Sequence, residues 1–258
     1  LQFLCLSLFS GVQSFPLSDL TGLMRGFGHF AIELEFPSKD FKQSYGIALE
    51  LKNIPDVNAE ISLFVTEMNK DEYDFEDDRC IDQLFVSSVS TIVKSAFNGC
   101  TSIKQIALPP SLKEIEEYAF YNCASLRSIS IPSNVSKIEN SAFKKCGMLT
   151  SVTVPSLVNK IEDSAFCECV SLSSVSIPLS VKEIGNYSFY SCKSLKHVNI
   201  PDSVVEIGNS AFGKCSTLIK VIIPNNVTKI GSSLFESCSA LTSITIPPSV
   251  TVIESNVF

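Results

Sequence analysis

Apolar and polar positions between residues 84 and 258 recur in one fixed frame. In Leu126–Pro132, Leu126, Ile129 and Ile131 are apolar, and Ser128 and Ser130 alternate with them. A period of two with β-branched residues predicts a short half-buried strand. Pro132 ends it, since proline has no amide donor. Val135 and Ile138 predict a second short extended or turn segment, with both side chains inward. Gly185, Gly208 and Gly231 then predict a turn. Glu116, Glu139 and Glu162 hold the same place in other copies, so a positive φ is not demanded there. Asn140, Asp163, Asn186 and Asn209 fit an N-cap for one helical turn carrying Phe and Cys inward.

The frame is 23 residues long and never slips from Phe97 through Phe120, Phe143, Phe166, Phe189, Phe212 and Phe235 to Phe258. Cys100 to Cys238, Pro109 to Pro247 and Ile115 to Ile253 keep the same period. Val89 and Ile92 are in phase with Leu112 and Ile115, so a degenerate copy begins near residue 84. One unit cannot bury its own apolar face; stacked units share a continuous core. Eight coils at about 4.8 Å span roughly 34 Å of parallel sheet. Because end coils need caps, repeats or a cap are expected beyond Phe258, with Ile246, Val250, Ile253 and Phe258 open to solvent there.

The unit resembles the BspA-like, bacterial-type leucine-rich repeat. Leu241-Thr-Ser-Ile244-Thr-Ile246-Pro247 and Val227-Thr-Lys-Ile230-Gly231 carry the likeness. The resemblance implies a curved leucine-rich-repeat solenoid over residues 80–258, with a parallel β-sheet on one side and short turns or helical turns on the other. It also implies a cell-surface or secreted protein used for adhesion and protein binding, without a cofactor.

Residues 1–79 lack the repeat and form a separate N-terminal region, expected to be small and β-rich. Phe30–Phe36, Tyr45–Leu51 and Glu60–Thr66 alternate as strands do. Leu1–Phe15 is apolar and has two readings: the h-region of a secretory signal, or a buried strand or helix. Glu67–Asp78 holds seven carboxylates in twelve residues but lacks the glycine and oxygen spacing of a calcium loop, and is taken as a solvated acidic linker.

Charge sharpens this division. The formal net charge is −7, which argues against a nucleic-acid partner. Residues 1–79 carry 6 Lys/Arg against 14 Asp/Glu, so the acidity belongs to the front. No run of 18 apolar residues is present to span a membrane as a helix.

The candidate chemistry is sparse. The cysteine ladder is expected to be reduced and buried, because ladder side chains point in parallel rather than at each other. Cys5 and Cys80 lie outside it and could pair in a secreted chain. Cys167-Glu-Cys169 has no second pair or histidine to complete a zinc site, and Gly26-Phe-Gly28 lacks the third glycine of a phosphate loop. His29 and His197 are the only histidines, and neither neighbours a nucleophile and an orienting acid. No catalytic, metal or cofactor site is assigned.

The outward strand positions form two rows. One is Gln105, Ser128, Ser151, Ser174, His197, Lys220 and Ser243; the other is Ala107, Ser130, Thr153, Ser176, Asn199, Ile222 and Thr245. Most are short and polar. The monotony breaks at Lys196, His197, Asn199, Ile219, Lys220 and Ile222, beside Ser174, and these seven are the candidate contact residues for a protein or glycan. Asn134, Asn186 and Asn226 open N-glycosylation sequons. The leading function is a non-catalytic cell-surface or secreted recognition module; the alternative is an intracellular, cytoplasmic scaffold.

Overall fold

The computed structural model describes residues 3–8, 29–36, 59–65 and 81–258. The 23-residue frame folds as a parallel β-solenoid of about eight coils. Strands β1 (Phe3–Leu8), β2 (His29–Phe36) and β3 (Ala59–Val65) come first. Coils then supply pairs of short strands: β4 (Gln83–Val86) and β5 (Thr91–Ile92), β6 (Gln105–Ala107) and β7 (Glu114–Ile115), β8 (Ser128–Ile129) and β9 (Lys137–Ile138), β10 (Ser151–Thr153) and β11 (Lys160–Ile161). The series continues with β12 (Ser174–Ser176) and β13 (Glu183–Ile184), the single strand β14 (Glu206–Ile207), β15 (Lys220–Ile222) and β16 (Lys229–Ile230), and β17 (Ser243–Thr245) and β18 (Val252–Ile253).

Two parallel sheets run along the stack. The first has the order β1-β2-β3-β4-β6-β8, continued by β10-β12 and β15-β17; the second runs β5-β7-β9, β11-β13-β14 and β16-β18. Register follows the repeat, with Ile106 opposite Ile129 and Ile115 opposite Ile138. Two front strands appear where the alternation predicts them: β2 covers Phe30–Phe36, and β3 matches Glu60–Thr66 to within a residue. Strands β1 to β3 extend the first sheet, β3 pairing with β4 through Leu63 and Leu84. The Gly26–Gly28, Tyr45–Leu51 and Glu67–Asp78 segments and Cys80 lie outside the described residues.

The third side of each coil corrects one expectation. No helical turn forms around the Phe among the described residues. Instead two residues per coil adopt left-handed backbone, at the second place before and the second place after the Phe: Ser141 (φ 56°) and Lys145 (φ 64°) flank Phe143. This conformation reverses the chain twice, so alternate amides point along the stack. Ser141, Phe143 and Lys145 N–H donate to Asp163, Ala165 and Cys167 O of the next coil at 3.0, 2.9 and 2.8 Å. The intervening Ala142, Lys144 and Cys146 N–H donate within their own coil. A helix would have aimed its amides along its own axis, within the coil, rather than along the stack to the next coil.

Inside the stack the Phe rings lie nearly parallel, with centroids 5.4–5.6 Å apart from Phe97 to Phe212. Each of the seven from Phe97 to Phe235 is buried, and truncating one to alanine would cost about 3–5 kcal/mol. The cysteines do more than fill space. Cys123, Cys146, Cys169, Cys192, Cys215 and Cys238 donate S–H to the carbonyl of the Phe 26 residues earlier, at 3.1–3.3 Å. The eight cysteines from Cys100 to Cys238 are free thiols.

Candidate functional site

All fourteen outward positions of the two predicted rows are exposed. A third row flanks them: Lys104, Arg127, Thr150, Ser173, Lys196, Ile219 and Thr242, likewise exposed. Hydrogen bonds hold it in register, Thr150 N–H to Arg127 O at 3.1 Å and Ile219 N–H to Lys196 O at 3.1 Å. These 21 positions form the open side of the first sheet, and none is a carboxylate.

The seven candidate contact residues, Ser174, Lys196, His197, Asn199, Ile219, Lys220 and Ile222, all lie on this open side. His197 and Lys220 are ladder neighbours, joined by an isolated parallel bridge. Between Ser174–Ser176 and His197–Asn199 the first sheet is interrupted, so the spot begins at a break in the ladder. Ile219 and Ile222 are 41% and 55% exposed, apolar area that a monomer gains nothing by leaving in water.

The second sheet has the opposite character. Along its outward row Lys137 pairs with Glu114 at 2.9 Å and with Glu139, and Lys160 pairs with Glu162 at 3.1 Å and Glu183 at 3.7 Å. Lys229 pairs with Glu254. The hydrogen bond that Lys137 donates to Glu139, then the one it donates to Glu114, holds its ammonium well above its ordinary pKa; the bond to Glu162 acts likewise on Lys160. Most of the charge in this row is paired, although Glu206, ladder neighbour of Glu183, has no ion pair among the described residues. Among the described residues, the one open-side cation with a carboxylate partner is Lys104, on the buried Asp82 at 3.0 Å. No ion pair reaches Arg127, Lys196 or Lys220 among the described residues.

Two open clefts lie on the second sheet, where its ladder is interrupted. One of about 220 Å³ is lined by Glu117, Lys137, Glu139, Asn140 and Glu162; one of about 340 Å³ includes Glu206, Asn209, Thr228 and Lys229. Among the described residues no group of three or more His, Cys, Asp or Glu is placed to hold a metal, and no helix is long and apolar enough to cross a membrane.

The Asn and Gly positions have a role that local reading missed. Asn186 N–H donates to Asp163 Oδ1 and Asn209 N–H to Asn186 Oδ1, both at 2.8 Å, and Ser232 N–H to Asn209 Oδ1 at 2.9 Å. These side chains cap the next coil rather than a helix. Where Glu replaces Gly, the Glu carboxylate takes the equivalent amide of the preceding coil: Glu116 accepts Lys94 N–H at 2.8 Å and Glu139 accepts Glu117 N–H at 3.1 Å. Of the sequon asparagines, Asn134 and Asn226 are exposed on a corner. Asn186 is half-buried, with its Nδ2 on Asp163 Oδ2 at 3.1 Å.

Parallel coils of constant length, a strand on the open side, and stacked Phe, Cys and aliphatic ladders define a leucine-rich-repeat solenoid. The chain belongs to the BspA type leucine rich repeat family, whose pattern matches residues 71–180 and 159–258 in 6 copies. The solved leucine rich repeat protein of T. pallidum is 26% identical, aligned over 78% of this chain and 80% of its own, with a TM-score of 0.50. A leucine rich cell surface protein from Faecalibacterium prausnitzii A2-165 is 21% identical over 85% of this chain and 79% of its own, with a TM-score of 0.41. A search of curated proteins finds no match.

Proposed function

We propose that the chain is a non-catalytic recognition module of a cell-surface or secreted adhesion protein, and that it binds a protein partner through the open side of the first sheet. The observation carrying this is the contrast between its two sheets. The second pairs Lys137, Lys160 and Lys229 with its own carboxylates, whereas the open side leaves Lys196, His197 and Lys220 beside two exposed isoleucines. Apolar area rimmed by polar groups is what the centre of a protein interface buries. The family resemblance supports the surface location.

A photo-crosslinking residue at Ser174 tests this, with the captured protein identified by mass spectrometry. Ile222→Asp with His197→Glu should then weaken binding of that protein at least tenfold and leave the circular dichroism unchanged, since both side chains face solvent. Equal loss from substitutions at the corner residues Ser133 or Asn225 would place the contact on the other edge.

A further inference from the structure

Resting on that reading, we infer that the partner presents an acidic protein segment carrying an apolar residue, which lies across coils six and seven with its carboxylates on Lys196 and Lys220 and its apolar side chain against Ile219 and Ile222. Charge accounting is the argument. The chain has 27 Asp and Glu, yet none occupies the 21 open-side positions from Lys104 to Thr245. Those positions hold Arg127, Lys196 and Lys220, which have no carboxylate partner among the described residues, and His197 as ladder neighbour of Lys220. On the second sheet, by contrast, Glu114 and Glu139 stand within reach of Lys137, and Glu162 within reach of Lys160. Cations set side by side on a sheet disfavour one another. A ligand carboxylate placed between Lys196 and Lys220 supplies the partner they lack, and a cationic ligand adds like charge.

Ile219 and Ile222 choose between anionic ligands. They sit on either side of Lys220 along one coil, exposed where other coils carry Lys, Arg, Ser or Thr at the first position and Ala, Ser, Thr or Asn at the second, so the apolar centre of the spot is interleaved with a cation. A sulfated or uronic polysaccharide offers nothing apolar to that centre. An acidic peptide with a leucine or phenylalanine satisfies both parts. Arg127 stands three coils before Lys196 in the same row, roughly 14 Å away at the usual strand spacing, within reach of about four or five extended residues.

The probe is a fluorescein-labelled twelve-residue peptide of Glu and Asp with two central leucines. Its controls are the same peptide with lysine for each acid, and a heparin oligosaccharide of similar charge. Fluorescence anisotropy should show the acidic peptide binding at least tenfold more tightly than the basic one, and weakening as salt rises. Lys196→Glu with Lys220→Glu should abolish this binding. Ile222→Ser should weaken it severalfold while leaving the salt dependence unchanged. Lys137→Glu, on the second sheet, should do neither.

Equal binding of both peptides overturns the inference. So does heparin binding that tolerates Ile222→Ser, which would make the ligand a polysaccharide. If the acidic peptide fails while the Ser174-crosslinked partner is still lost on Ile222→Asp, the inference falls and the recognition surface stands. If neither variant affects that partner, the surface itself is wrong.

Discussion

A Cβ on Gly231 would stand 2.5 Å from Asn209 Oδ1, the oxygen that accepts Ser232 N–H at 2.9 Å. Glycine here leaves room for a neighbouring coil's cap, without needing a positive φ. Gly231→Ala should therefore cost about 1 kcal/mol, the hydrogen bond that Asn209 must surrender. Added to Asn209→Ala the same change should cost almost nothing, because the obstructing atom is gone and Glu254 Oε2 still accepts Ser232 N–H at 3.0 Å. Gly208→Ala should be worse than Gly231→Ala, since its Cβ would meet Asn186 N and Gly185 C of the backbone at 2.6 and 2.7 Å. Urea denaturation of the four proteins measures all of this; equal costs for Gly208 and Gly231 would refute it.

Ser188 is a defect in an otherwise apolar ladder. Its hydroxyl is buried and has no hydrogen-bond partner among the described residues, while Ala96, Ala119, Ala142, Ala165 and Ala211 hold the same phase. An unpaired buried hydroxyl costs about 1–3 kcal/mol. Ser188→Ala should raise the stability of bacterially made protein by an amount in that range, read as the denaturation midpoint. A lower midpoint would mean that Ser188 has a partner the fold does not reveal.

The cysteine ladder should make the fold sensitive to alkali. Burial pushes Cys123, Cys146, Cys169 and Cys192 well above the ordinary thiol range, and Cys167 and Cys238 up to about 11. The unfolded chain releases these protons near pH 8.5, while the fold retains them. Stability is thus full below about pH 8.5 and falls as pH rises toward the raised values, by about 1.4 kcal/mol per pH unit for each such thiol. Denaturation midpoints taken from pH 8 to 10 should drop steeply, and less steeply in Cys146→Ser. The same thiols should resist a thiol reagent until denaturant is added. A flat profile, or fast native labelling of Cys146, would contradict the buried ladder.

Glycan occupancy should follow the corner geometry. Expressed in a glycosylating host, Asn134 and Asn226 should carry glycans, because both are exposed and hold only backbone carbonyls, those of Pro110 and Asp202. Asn186 should stay bare, its amide nitrogen bound to Asp163 and Ser188 of its sequon buried. Peptide mapping decides; a glycan at Asn186 would show that the Asx ladder forms only after modification, or not at all.

Much of this architecture was legible because one 23-residue frame governs the apolar positions. Phe97 to Phe258, the strands before each proline and the exposure of both outward rows all follow from counting. What stayed hidden were contacts between coils. The Cys146 thiol meets Phe120 O and Asn209 N–H meets Asn186 Oδ1 across 26 and 23 residues, so neighbouring residues give no hint of them. The left-handed residues were hidden for another reason. Gly99, Asn122 and Asn256 advertise that conformation, but Lys145, Glu168 and Lys214 hold it because two flanking ladders fix the chain. That every charged residue of the open side is a cation emerges only with the third row, Lys104 to Thr242, which hydrogen bonds rather than alternation define.

The central claim is that recognition belongs to the open side of the first sheet. Lysine labelling with and without the Ser174-crosslinked protein tests it directly, with mass spectrometry measuring the reactivity of each amine. Lys196 and Lys220 should lose most of their reactivity in the complex, while Lys137, Lys160 and Lys229 on the second sheet keep theirs. Protection of Lys137, Lys160 and Lys229 with Lys196 and Lys220 still reactive would contradict the account.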